Sequence, residues 1–162
     1  MKRDDLDRVA DSLEKPMKDF VREARVRTAI LVNHSGQVLA QHGFTRGIDV
    51  TNVAALAAAT HASAHALAEL TEAGRWQHLH HAGREKQLFL APFTAGVESL
   101  ILVAIFDNES TLGLVQLFFD RLAESIRELP SLSAKLEQSD LEAFERDLEA
   151  GVDRLLSEPE NE

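Results

Sequence analysis

The chain has 162 residues, 44% of them hydrophobic, enough for one domain with a proper core, and its lack of cysteine excludes disulfides, a thiolate nucleophile and cysteine-based metal sites. The formal net charge is −10, but residues 137–162 hold ten acidic groups against Arg146 and Arg154, so the body is near neutral and lacks the basic stripe that nucleic acid requires. The start has no signal-peptide core and the longest apolar run, Leu100 to Phe106, is only strand-sized, so the expectation is a cytoplasmic protein with no membrane or nucleic-acid partner.

Residues 4–25 place Leu6, Val9, Leu13, Met17, Phe20 and Val21 at helical spacing, with Pro16 predicting either a kink or a start near it. Val26 to Asn33 and Gln37 to His42 read as strands joined by the turn His34-Ser35-Gly36, and Gly43 to Ile48 is a polar loop. Asp49 to Gly74 is the strongest helix, opened by Asp49 or Thr51 and closed by Gly74. The stripe Val53, Leu56, Thr60, Ser63, Leu67 and Leu70 is expected to face the core. That leaves Ala54, Ala55, Ala58, His61, Ala62, His65, Ala66 and Glu69 outside, a smooth face suited to a second helix or partner, or one selected only for helix propensity.

Trp76 to His81 and Gln87 to Phe93 read as a second pair of strands, the latter ended by Pro92 and Gly96, and Ser99 to Asp107, apolar on both faces, as the middle of the sheet. Asn108 to Thr111 offer caps to a helix carrying Val115, Phe118, Phe119, Leu122, Ile126 and Leu129, stopped by Pro130. Residues 1–129 thus form one domain and 130–138 a linker. Residues 139–162 form an acidic amphipathic tail helix opened by Ser139-Asp140-Leu141-Glu142, with Leu141, Phe144, Leu148, Val152 and Leu155 on its apolar face. The order helix-β-β-helix-β-β-β-helix, with short links between most strands, predicts an α+β fold: an α/β/α sandwich on a five-stranded, mostly antiparallel sheet.

Chemistry is sparse. His61 and His65 stand four apart on one helix, and His78 and His80 share a strand face, but no HExxH and no nearby carboxylate at a ligand spacing accompanies either pair. There is no GxxxxGK[ST], GxGxxG or GxSxG, so no cofactor and no enzymatic activity are expected.

The element order, the hairpin segment Arg27 to Ala40, the small-residue helix and the segment Ile105 to Leu117 (Phe106-Asp107-Asn108, then Leu112-Gly113-Leu114-Val115) resemble the roadblock (dynein light chain) domain, and within it the bacterial MglB-type proteins. The resemblance implies a homodimer whose Ala-rich helices pack together and whose sheets join edge to edge. It implies a small Ras-like, MglA-type GTPase as partner, whose hydrolysis is activated in cell polarity or motility by repositioning the GTPase's own residues, without an arginine finger. The matching partner-facing positions are Ala62 and Ala66, with Ala58 and His65 beside them, and Val152, Leu155 and Leu156 in the tail. His61 and His65 are bulkier than the small residues usual on this face. The alternative is a roadblock-type dimeric scaffold, or a PAS-like sensor with no effect on nucleotide hydrolysis, which a polar pocket between sheet and helix would favour.

Overall fold

The computed structural model describes residues 3–130 and 132, with side chains from Asp7 onward. Its elements are α1 (Arg3–Glu23), β1 (Thr28–Asn33), β2 (Val38–Gly43), α2 (Val50–Leu70), β3 (Leu79–Ala82), β4 (Gln87–Ala95), β5 (Glu98–Phe106) and α3 (Leu112–Arg127). The five strands form one sheet in the order β2-β1-β5-β4-β3, and every pairing is antiparallel. The α+β class, the element order and the central place of β5 agree with the sequence reading. The tail helix and most of the linker lie outside the described residues.

Strand alternation sorts the core into two layers. Ala29 and Leu31 of β1, Phe89, Ala91 and Phe93 of β4, and Leu100, Leu102, Ala104 and Phe106 of β5 face α1 and α3. Ile30, Val32, Leu90, Ile101 and Val103 face α2. A one-residue bulge in β2, where the register slips between Leu31 and Val32, lets the adjacent Leu39 and Ala40 both pack toward the α1 and α3 layer. The segment after β5 locks this frame. The Arg27 Nε–H donates to Asp107 Oδ2 at 2.6 Å, the Ser110 hydroxyl donates to the carbonyl of Ala24, and the Thr111 hydroxyl accepts from the Leu114 N–H to cap α3. The Glu109 N–H and the Arg27 guanidinium hold the Asp107 carboxyl below its usual range.

Several boundaries differ from expectation. α1 runs unbroken through Pro16 from Arg3, because Leu13, Met17 and Phe20 on either side are pinned in the core. β3 is shorter than Trp76 to His81, since Trp76 packs under α2 and the preceding loop is held by side chains, not by the ladder. β4 continues through Pro92 to Ala95. The two-residue turn Gly96-Val97, with Gly96 at φ 64°, makes Ala95 and Glu98 the bonded pair, so the backbones of Thr94 and Pro92 point to the open side of β4. The missing N–H of Pro92 therefore breaks no bond to β5, and the Arg127 Nε–H caps the Thr94 carbonyl at 2.9 Å.

Gly74 does not close α2. Glu72 does, at φ 54°, with its N–H reaching Glu69 O at 3.3 Å and the Ala73 N–H reaching Ala68 O at 3.0 Å, a Schellman closure with a non-glycine in the left-handed position. Such a residue costs roughly 1–2 kcal/mol in that region, partly offset in glycine by its greater unfolded-state entropy. Glu72→Gly is expected to raise stability by about 0.5–1 kcal/mol, read as a higher denaturation midpoint at unchanged slope; a lower midpoint would contradict this reading of the closure.

Candidate functional site

α2 is turned relative to the periodicity reading: Leu56, Thr60, Ser63, Leu67 and Leu70 lie outside and Ala54, Ala58 and His61 lie inward, while Val53 is on the sheet and Ala55, Ala62, His65, Ala66 and Glu69 are exposed as expected. Ala54, Ala57 and Ala68 are the buried residues of the helix, while Leu56, Leu67 and Leu70 are 66, 62 and 84% exposed. Val53 is half-buried on the sheet, and Thr60 and Ser63 stand outside with the leucines. The cause is closeness. Alanine carries no side chain beyond Cβ, so Ala54 and Ala57 let the helix axis settle directly onto Ile30, Val32, Ile101 and Val103. At the neighbouring position, a Cβ added to Gly36 of the β1–β2 turn would meet the backbone Cα of Ala55 at 3.2 Å, so the turn too must carry no side chain to let the helix approach.

With the alanines inside, the outward surface of α2 has two flanks. One carries Leu56, Thr60, Ser63, Leu67 and Leu70; the other carries Ala62, His65, Ala66 and Glu69, all exposed. Of the sequence-predicted contact residues, Ala62, His65 and Ala66 share this second flank, and Ala58 is half-buried against the sheet. Val152, Leu155 and Leu156 lie outside the described residues. The leucine flank is the feature that periodicity placed on the wrong side.

At one edge of the sheet, β3 is an outer strand of four residues, all exposed. Its approach is pinned by His78, which stacks on Phe89 at 5.4 Å and meets Gln116 Nε2 at 3.0 Å. His80 stacks on Phe106 and meets Gln87 Oε1 at 2.7 Å. Past Leu79 the edge of β4 is uncovered and opens into a cleft of about 1030 Å³, lined by His61, His65, Arg75, Trp76, Phe93 and Arg127 among others.

His61 is not on the outer face; it is half-buried against Trp76, with ring centroids 5.3 Å apart. Its imidazole stacks on that of His65 at 6.4 Å and an interplanar angle of 19°, and His65 Nε2 lies 3.5 Å from Glu69 Oε1. Among the described residues no group of three His, Asp or Glu side chains is placed to hold a metal ion, and no helix is long and apolar enough to cross a membrane. Burial lowers the His61 pKa, helped by the nearby His65 and His34, and its Nδ1 is enclosed without a hydrogen-bond partner.

Three helices on the two faces of a five-stranded antiparallel sheet define a small α/β/α domain whose exposed features are a helix face and a strand edge. The Roadblock/LC7 domain model matches residues 13–106, and the chain belongs to that family. Among solved structures, Myxococcus xanthus MglB is 28% identical with a TM-score of 0.65, covering 72% of this chain and 92% of its own. The gliding protein MglB of Thermus thermophilus is 29% identical with a TM-score of 0.63, covering 72% and 87%. A structure described as MglB with tetrameric arrangement is 28% identical with a TM-score of 0.64, covering 78% and 90%. No curated protein matches the chain by sequence.

The lowered pKa of His61 has a pH consequence. Because the folded value lies below the ordinary 6.5, the neutral form is favoured by folding; stability is full above about pH 6.5 and falls as the pH drops through that value toward the folded pKa. His61→Gln should show a shallower loss of thermal stability between about pH 7.5 and 5.5 than the unaltered chain. Identical slopes would contradict a neutral, desolvated His61.

Proposed function

We propose that this protein is a homodimeric, non-enzymatic regulator that binds a small Ras-like GTPase of the MglA type and activates its GTP hydrolysis, in the cytoplasm and in the service of cell polarity or motility. The observation that carries the reading is the double-sided exposure of α2. Its leucine flank suits a second copy of the chain, because leucines exposed at 62–84% along one stripe form an apolar surface suited to cover, and the edge strand β3 has one open side that offers backbone groups to its own symmetry mate. Its Ala62, His65 and Ala66 flank then remains for the GTPase. Family membership and the MglB likenesses, one of them in a tetrameric arrangement, support both halves of the proposal.

Val152, Leu155 and Leu156 supply a second, tunable contact for the partner. The sensor alternative is less favoured, because beneath Ala54 and Ala57 the space between helix and sheet is filled by Ile30, Val32, Ile101 and Val103, and the cleft lined by His61, His65 and Trp76 opens at the uncovered edge of β4.

Three outcomes follow from this division of the helix. Leu67→Asp, which loses no core contact, should shift the protein from dimer to monomer in analytical ultracentrifugation while keeping its circular dichroism; a dimer retained at the same concentration would place the association elsewhere. Ala62→Trp should weaken GTPase binding by about 1–3 kcal/mol by overpacking the contact, with the dimer intact, as read by titration calorimetry. Mixed with a GTP-loaded MglA-type GTPase, the unaltered protein should accelerate phosphate release, whereas a rate equal to the intrinsic one would remove the activator role.

A further inference from the structure

On the side of the sheet away from α2, α1 and α3 lie next to each other and leave a groove of about 510 Å³ between them. Its lining is mixed: half-buried Pro16, Phe118 and Leu129 give apolar surface over the buried Phe20 and Leu122, among Lys15, Asp19, Glu23, Arg121 and Glu128. Nothing described in the fold or in the proposed partner contacts covers this groove.

We infer that the apolar stripe of the C-terminal segment, Leu141, Phe144, Leu148, Val152 and Leu155, docks into the α1–α3 groove of its own chain. Four observations point there. The chain leaves the core at the groove itself: Glu128 and Leu129 line it, the Leu132 N–H bonds to Leu129 O at 3.1 Å, and the Leu132 side chain is buried. Residues 133–140 can reach up to about 26 Å, enough to reverse direction and return along α3 as one arm of a helical hairpin. A helical run from Leu141 to Leu155 would be about 22 Å long, close to the roughly 24 Å of α3. A tether this short presents the segment to its own groove at an effective concentration of about a millimolar, which a separate molecule does not match at ordinary protein concentrations.

Charge fits without carrying the contact. Acidic residues flank the tail stripe at Asp140, Glu145, Asp147 and Glu149, and the groove offers them Arg121, Lys15 being already paired with Asp19 at 2.6 Å. Arg121 lies over the Phe118 ring at 5.1 Å and makes no ion pair among the described residues. Of the groove's own acids, Asp19 is held by Lys15 and Arg22 and Glu23 by Arg22, while Glu128 stands near the exit of the chain. Apolar burial is therefore the main attraction, and the same stripe cannot sit in this groove and on a GTPase at once.

Docking in the groove withholds Val152 and Leu155 from the proposed GTPase contact, but it does not depend on that contact, and its test needs no partner. Since the chain lacks cysteine, Ala150→Cys gives a single site for a nitroxide on the side of the tail opposite the apolar stripe. In the full-length protein, amide resonances of Lys15 to Glu23 and Phe118 to Leu129 should broaden strongly, and those of α2 should not. The broadening should vanish when Leu148→Asp is added, with the core spectrum unchanged. It should also be absent when isotope-labelled, untagged chains are mixed and equilibrated with tagged, unlabelled ones. Unaffected groove amides, broadening centred on α2, broadening that survives Leu148→Asp, or broadening that persists in the mixed sample would each overturn docking within one chain.

Discussion

The closeness of α2 to the sheet is the constraint on which the exposed surface depends. With Ala54 and Ala57 at the contact and Gly36 pressed on Ala55, the helix lies lower than leucines would allow, and the larger residues are turned out. A helix that buries its smallest side chains gains little transfer free energy per residue, about 0.8 kcal/mol for each buried carbon group. What it gains instead is a rigid platform with an apolar outer stripe, and that stripe becomes stable once something covers it. One choice of residue size thus both seats the helix and leaves an apolar stripe open to a partner.

The opposite face of the sheet works differently. There Leu13, Met17, Phe20, Phe89, Phe106, Val115 and Ile126 fill the core with large side chains, and the Arg27–Asp107 pair and the Ser110 bond to Ala24 tie the helix ends to the sheet. Most of the hydrophobic stabilisation resides in this layer, which leaves α2 free to serve contacts. The Phe106 to Val115 segment, the most specific part of the family resemblance, acts in the structure as this tie between β5, α1 and α3, so its residues mark the fold more than the partner.

Much of this was legible in the sequence, and what was not has a physical reason. The first strand followed from its β-branched run, the second and third from alternating polarity beside glycine-containing loops, and the central β5 from its apolar residues on both faces. The side of α2 was misread because periodicity locates stripes without ranking them when both are apolar; size, not hydrophobicity, decided which stripe lay inside. A signal of that closeness was Gly36, whose missing side chain lets the turn meet the backbone of α2 at Ala54 and Ala55. His61 was placed outside for the same reason, although Trp76, fifteen positions on, is what encloses it. Glu72 in a left-handed closure was missed because Gly74, two residues on, is the expected residue for it, and Pro92 was read as a strand end because the Gly96-Val97 turn, which sets the bonding alternation, was not placed.

The central claim is that the leucine flank of α2 meets its own copy in the dimer. Ser63 lies at the middle of the stripe from Leu56 to Leu70, so in a two-fold contact between antiparallel helices it faces itself across the axis. The most direct measurement is mild oxidation of a Ser63→Cys variant in an otherwise cysteine-free chain, read on a non-reducing gel with Ser125→Cys, on the α1–α3 side, as the control. A crosslinked dimer for Ser63→Cys alone is the predicted result. Uncrosslinked Ser63→Cys in a protein that sediments as a dimer, or crosslinking through Ser125→Cys, would contradict the account.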